Sequence, residues 1–112
     1  MKKIEAIIRP EKMDEVKAAL TDGGFLGLNV SHITGRGVQK GIVQQYRGRQ
    51  FTVEFLPKVK LELVVSDEAV DQILSTIENN ARTGATGDGK VFVVDVADVM
   101  RVRTGQRGEE AL

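Results

Sequence analysis

The chain has 112 residues, sixteen basic and sixteen acidic, so its formal net charge is zero and no global field draws it to nucleic acid or a membrane. The absence of cysteine removes disulfides, thiolate zinc sites and thiol nucleophiles together. Aromatic residues make up 4% with no Trp, which argues against a stacking platform for nucleobases. One domain is the natural count, with a core modest enough for oligomerisation to help. Met1-Lys2-Lys3 runs straight into alternating residues, and no apolar run approaches the length of a bilayer span, so a soluble, cytoplasmic domain is expected.

Residues Lys3 to Arg9 alternate and then become continuously apolar at Ala6-Ile7-Ile8, as in a strand covered on at least one face. Pro10 suits a first helical turn, and Met13, Val16, Ala19 and Leu20 recur at spacings of three and four. An amphipathic helix is therefore predicted from Pro10 to about Asp22, closed by Gly23-Gly24. Val30 and Ile33 among Ser and Thr give a second strand over Leu28 to Thr34. From Gly35 to Glu54 neither period holds. Gly35, Gly37, Gly41 and Gly48 interrupt this stretch, and Arg36, Lys40, Arg47 and Arg49 charge it with no acid between Arg36 and Gln50. It reads as a mobile, positively charged arm on a rigid base.

Leu56 to Val65 carries the strongest strand signal of the chain. Ser66 is a good N-cap, and Val70, Ile73, Leu74, Ile77 and Ala81 form a helical stripe from Asp67 to about Arg82. After a glycine-rich turn, Val91 to Val94 reads as a strand, an Asp95–Asp98 corner follows, and Val99 to Arg103 is expected as a last short strand before a polar tail. A slide of fifty-seven positions lays Lys3-Ile4-Glu5-Ala6-Ile7-Ile8 over Lys60-Leu61-Glu62-Leu63-Val64-Val65 and matches Met13/Val70, Val16/Ile73 and Leu20/Ile77. Two such units make a ferredoxin-like α+β sandwich, a β-α-β-β-α-β chain with a four-stranded antiparallel sheet and two helices on one face. The central strands carry apolar residues on both faces, so another copy of the sheet is the natural cover and a cyclic homo-oligomer with clefts between subunits is expected.

Thr83-Gly84-Ala85-Thr86-Gly87-Asp88-Gly89-Lys90 contains the spacing of a P-loop, but Val91 stands where the metal-binding Ser/Thr should be, and the segment runs from helix to strand. Two readings remain: a helix cap followed by a turn, or a nest of backbone N–H groups with Lys90 at its rim that holds phosphate oxygens. Arg101 and Arg103, two apart on the expected last strand, either form a solvated edge or grip a polyphosphate together. Lys58 is either an exposed strand lysine or a partner for a small carboxylate or for the arm itself. His32, the only histidine, reads as structural or surface. No Ser/His/Asp set and no pair of carboxylates equips the chain for catalysis.

Over its whole length the sequence resembles the nitrogen-regulatory PII signal-transduction proteins (the GlnB/GlnK family). The resemblance rests on Thr83-x-x-x-Gly87-Asp88-Gly89-Lys90-Val91-Phe92-Val93-x-x-Val96, on Arg101-Val102-Arg103-Thr104-Gly105, and on Gly35-Arg36-Gly37-x-Gln39-Lys40-Gly41 at the root of the family's T-loop. It implies a single domain over 1–112, with a flexible T-loop at about 37–54 and a tail from about 104, assembled as a homotrimer. It also implies ATP or ADP in the clefts between subunits. Asn29, Gly37, Val38, Gln39 and Val64 would line one side, and Gly87, Asp88, Gly89, Lys90, Arg101 and Arg103 would hold the phosphates. Mg2+ with ATP would recruit 2-oxoglutarate, with Gln39 on the metal and Lys40, Gly41 and Lys58 around the effector.

The resemblance further implies that the arm docks on an ammonium transporter or on glutamine synthetase through Tyr46, Arg47, Arg49 and Phe51, which would bring a cytoplasmic protein to the membrane only through the transporter. Two departures stand out. Phe51 occupies the place of the family's uridylylated tyrosine and has no hydroxyl to modify, and Arg49 replaces a serine phosphorylated in some relatives. Asn29 replaces a more usual threonine. Regulation mainly by ligands is expected. A slow nucleotide hydrolase and a purely structural oligomer of the metal-tolerance kind are the alternatives.

Overall fold

A computed structural model describes the backbone of residues 1–46 and 49–112 and the side chains of residues 1–36 and 55–112. Four strands form one antiparallel sheet: β1 (Lys2–Ile8), β2 (Asn29–Tyr46), β3 (Arg49–Val65) and β4 (Gly89–Asp95), in the order β2-β3-β1-β4. Two helices, α1 (Met13–Asp22) and α2 (Val70–Ala81), complete the β-α-β-β-α-β order of a ferredoxin-like sandwich.

The period-2 pattern decides which face of the sheet is covered. Ile4, Ala6 and Ile8 of β1 and Val59, Leu61, Leu63 and Val65 of β3 are buried. They pack with Val16 and Leu20 of α1 and Ile73, Ile77 and Ala81 of α2 in a single cluster. Each fully buried Leu or Ile of this cluster contributes roughly 2 kcal/mol by removal from water. The helices therefore sit on one face, as the pattern predicts.

The internal repeat extends to the helix starts. Pro10–Lys12 and Asp67–Ala69, fifty-seven residues apart, are both 3-10 turns that lead directly into α1 and α2. The α-helices thus begin three residues later than the apolar spacing suggests. Pro10 sits at the head of its turn. Ser66 occupies the corresponding cap position, but its side chain makes no capping hydrogen bond, which corrects that expectation. At the other end of α1, the Phe25 N–H donates to Leu20 O at 2.9 Å and the Gly24 N–H to Thr21 O at 3.0 Å, with Gly24 at φ +92°. This is the double closure that a glycine after a helix permits.

Two stretches differ from the sequence-based expectation. The segment expected as an irregular arm continues the ladder of β2 and β3: Gly35 pairs with Leu56, Gly37 with Glu54 and Val38 with Val53, and after a register shift Val43 pairs with Thr52. Its glycines and charges hide a hairpin whose strands already run antiparallel at its base. Val99 to Arg103 is not a strand. Met100 makes an isolated bridge to Arg107, and residues 102–104 turn between them. An Asp98–Arg107 ion pair closes this loop. Arg107 Nε donates to Asp98 Oδ2 at 2.7 Å, while Asp98 Oδ1 accepts the Val99 N–H at 2.8 Å. These contacts, with the Arg107 guanidinium as the largest cause, hold the Asp98 carboxyl below the usual carboxylate range. Because Arg103 lies within the turn that follows Arg101, the alternation of a strand does not align them.

Candidate phosphate-binding site

The uncovered face of the sheet carries the chemistry. Across the antiparallel ladders Ile33 stands opposite Lys58, Gly35 opposite Leu56, and Ile7 opposite both Lys60 and Lys90. Opposite residues share a face. Further along the same face, Lys60 pairs with Glu62 at 3.0 Å and Lys3 with Glu5 at 2.8 Å. At the β1 C-terminal end, Ile7, Ile33, Gly35, Leu56, Gly87, Gly89 and Phe92, together with the cationic Arg36, Lys58 and Lys90, line a cavity of about 530 Å³. Its wall is mostly apolar and includes three cations, the composition of a site for a ligand with a flat apolar part and an anionic end.

The turn 83–88 that overhangs this cavity is built around one carboxylate. Asp88 Oδ2 accepts the N–H groups of Thr83 and Gly84, both at 2.8 Å. Its Oδ1 accepts the Thr83 hydroxyl and, at 3.1 Å, Arg9 Nε. The Thr83 hydroxyl is the largest of the causes that hold the Asp88 carboxyl well below the usual carboxylate range; the Thr83 and Gly84 amides and Arg9 add to it. Asp88 thereby accepts four hydrogen bonds, three from within the turn and one from Arg9. Gly87 and Gly89 flank it at φ +102° and +105°. At Gly89 the requirement is absolute, because a Cβ there would stand 1.7 Å from Ile7 O. Lys58 reaches across from β3 and donates its ammonium to Gly87 O, so the strand and the turn are tied at the cavity's mouth.

The predicted site residues fall into two groups. Lys58, Gly87, Asp88, Gly89 and Lys90 lie at the Ile8 end of the sheet. Asn29, opposite Glu62, and Val64, opposite Lys3, lie four and six residues from Lys58 along β3, about 13 and 20 Å at a strand's rise. Arg101 and Arg103 lie in the loop after β4, beyond Asp95, which pairs with Lys2, and neither lines the cavity. Arg101 Nη2 donates to Leu112 O at 3.1 Å. The side chains of Gly37, Val38, Gln39, Lys40, Gly41, Tyr46, Arg49 and Phe51, and the whole of Arg47, lie outside the described residues. His32 is exposed.

Sequence reasoning missed Arg9, Ile7, Leu56 and Phe92. The three apolar residues could have been found by assigning the open face from the alternation of β1, β3 and β4; nothing local points to Arg9. Among the described residues no cluster of His, Asp or Glu could hold a metal, and no helix is long and apolar enough to cross a membrane.

The fold is thus a ferredoxin-like domain with a long β2–β3 hairpin and a glycine-rich turn at one end of its open sheet face. Residues 1–106 match the family described as nitrogen regulatory protein P-II. The chain is 53% identical over 112 residues to the nitrogen regulatory protein P-II of Pasteurella multocida (strain Pm70) and to that of Nostoc punctiforme, and 51% identical to that of Klebsiella oxytoca, with both chains fully covered each time. The chain belongs to the nitrogen regulatory P-II family. It is accordingly a signal-transduction protein of nitrogen regulation and not an enzyme.

Proposed function

We propose that the chain works as a homotrimer that binds ATP or ADP between subunits, takes up 2-oxoglutarate beside the triphosphate, and uses the hairpin arm at 37–54 to regulate an ammonium transporter or glutamine synthetase. One observation carries this reading: Lys58 and the distant segment of Gly87, Gly89 and Lys90 line one cavity with an apolar wall of Ile7, Ile33, Leu56 and Phe92. The wall suits a purine, and the turn with Lys90 suits its phosphates. The separation of Asn29, Val64, Arg101 and Arg103 from that cavity supports a site shared between copies, since the Met1 end of one chain could close the Ile8 end of the next. The uncovered sheet face, with Val64, Ile7 and Phe92 among paired charges, supplies the surface for such packing.

With no acidic cluster among the described residues, Mg2+ would be held chiefly by the triphosphate and the effector's carboxylate, with the amide oxygen of Gln39 as the protein's share. The metal supplies positive charge that an incoming dicarboxylate needs. Lys58 is placed to couple the two ligands: an effector carboxylate that takes its ammonium competes with Gly87 O, and so acts on the turn that holds the phosphates. ADP lacks the γ-phosphate and leaves the arm free to take another arrangement. The test is calorimetric titration of ATP with and without 2-oxoglutarate. Mutual strengthening of the two ligands is expected; absence of nucleotide binding would favour a purely structural oligomer. Sustained multiple turnovers of ATP would instead revive the hydrolase alternative.

A further inference from the structure

We infer that Arg9 is a positioning residue for the phosphate-binding turn, acting through Asp88 and Thr86 from the end of the central strand β1. The inference rests on the nucleotide reading above and adds to it a residue that does not line the cavity.

The geometry has three parts. Arg9 follows β1 directly and precedes Pro10, in extended conformation at φ −65° and ψ 138°, so its Cα is fixed between the innermost part of the sheet and a rigid turn. Its guanidinium then reaches a segment nearly eighty residues away and binds it twice: Nε to Asp88 Oδ1 at 3.1 Å, and Nη2 to Thr86 O at 2.7 Å. Both side chains of the ion pair are largely shielded, Arg9 at 21% and Asp88 at 24% exposure, unlike Arg82–Glu78 at 70% and 64%. A forked donor that holds two points of one loop sets its orientation as well as its distance, which a single ammonium cannot do.

Charge makes the contact matter for the ligand. Asp88 sits between Gly87 and Gly89, so the turn offered to a phosphate contains a carboxylate that repels it. The same carboxylate organises the loop, because it gathers the Thr83 and Gly84 N–H groups. Arg9 resolves this conflict by placing a permanent positive charge on the carboxylate's other oxygen, Oδ1. Without Arg9 the turn would lose its Thr86 anchor and present an uncompensated negative charge toward the triphosphate, so the loss should grow with the number of phosphates. A merely structural salt bridge would weaken all ligands alike.

The experiment measures adenosine, AMP, ADP and ATP affinities by calorimetry for wild type, Arg9→Ala, Arg9→Lys, Asp88→Asn and the double variant Arg9→Ala/Asp88→Asn. Arg9→Ala should weaken ATP by about tenfold or more and adenosine little, the size expected for a charge-assisted contact. Arg9→Lys, which keeps the charge but not the fork, should fall between, and Asp88→Asn in the Arg9→Ala background should restore part of the phosphate-dependent loss. Equal losses for adenosine and ATP, or unchanged ATP affinity in Arg9→Ala, overturn the inference. A wild-type protein that binds no nucleotide overturns the underlying reading and this one with it; wild-type binding with an indifferent Arg9→Ala overturns this one alone.

Discussion

Gly89→Ala separates backbone conformation from steric exclusion at the junction of β4 and the anion turn. The new Cβ would lie 1.7 Å from Ile7 O and 2.8 Å from Ile7 C. A carbon–oxygen contact needs roughly 3.3 Å, so the strand would have to retreat by about 1.6 Å. Such a retreat opens the Ile8–Gly89 pair and the next, Ile7–Lys90, where β4 starts on β1. Two ladder hydrogen bonds at about 1 kcal/mol each, plus about 1–2 kcal/mol for an L-residue at positive φ, give a cost of about 3–4 kcal/mol. Gly84 supplies the control: its φ is +88°, but a Cβ there meets nothing within 4 Å, so Gly84→Ala should cost only the conformational part, about 1–2 kcal/mol. Urea unfolding of both variants reads the difference, and ATP affinity of folded Gly89→Ala should fall because Gly89 and Lys90 line the cavity. Equal destabilisation of the two variants, within about 0.5 kcal/mol, would refute the close approach of β4 to β1 as the reason for this glycine.

Further outcomes follow from the packing, the electrostatics and the arm. Leu61, fully buried in the helix-covered face, should cost about 2–5 kcal/mol on replacement by Ala in chemical denaturation, and a loss under 1 kcal/mol would place it outside the core. The folded-state value of Asp88 lies below its unfolded one, so its stabilisation is present above about pH 4 and is lost only as pH falls through the depressed value. Its carboxyl carbon signal should stay that of a carboxylate from pH 7 to about 3, and a midpoint near 4 would contradict the Thr83–Gly84–Arg9 cage. Arg47→Ala should leave nucleotide affinity unchanged and abolish inhibition of the transporter; unaltered inhibition removes Arg47 from the docking surface.

Much of the fold was legible because burial follows period. The alternation in Lys3–Ile8 and in Leu56–Val65 marks the covered face, and the fifty-seven-residue repeat recurs as equal burial at Ile4 and Leu61, Ala6 and Leu63, Val16 and Ile73, and Leu20 and Ile77. What was not legible depends on contacts between distant residues. Gly37, Lys40 and Gly41 have low strand preference, so the extension of β2 shows only through its pairing with β3. The loop after β4 is set by Asp98 and Arg107, whose partnership overrides the strand-like Val99-Met100-Arg101-Val102-Arg103. In the candidate site, the glycines marked the turn itself, but the caging of Asp88 did not follow from its place in the motif. A carboxylate among candidate phosphate-binding residues looks like a ligand contact until its four hydrogen-bond donors are counted.

The assembly of one nucleotide site from opposite ends of two sheets is tested most directly by native mass spectrometry with increasing ATP. The expected species has three times the 12.3 kDa chain mass and binds up to three nucleotides, with Lys90→Ala in the same trimer taking up ATP more weakly. A single chain that binds ATP as well as any assembly, or a trimer indifferent to both ATP and ADP, would contradict a shared cleft.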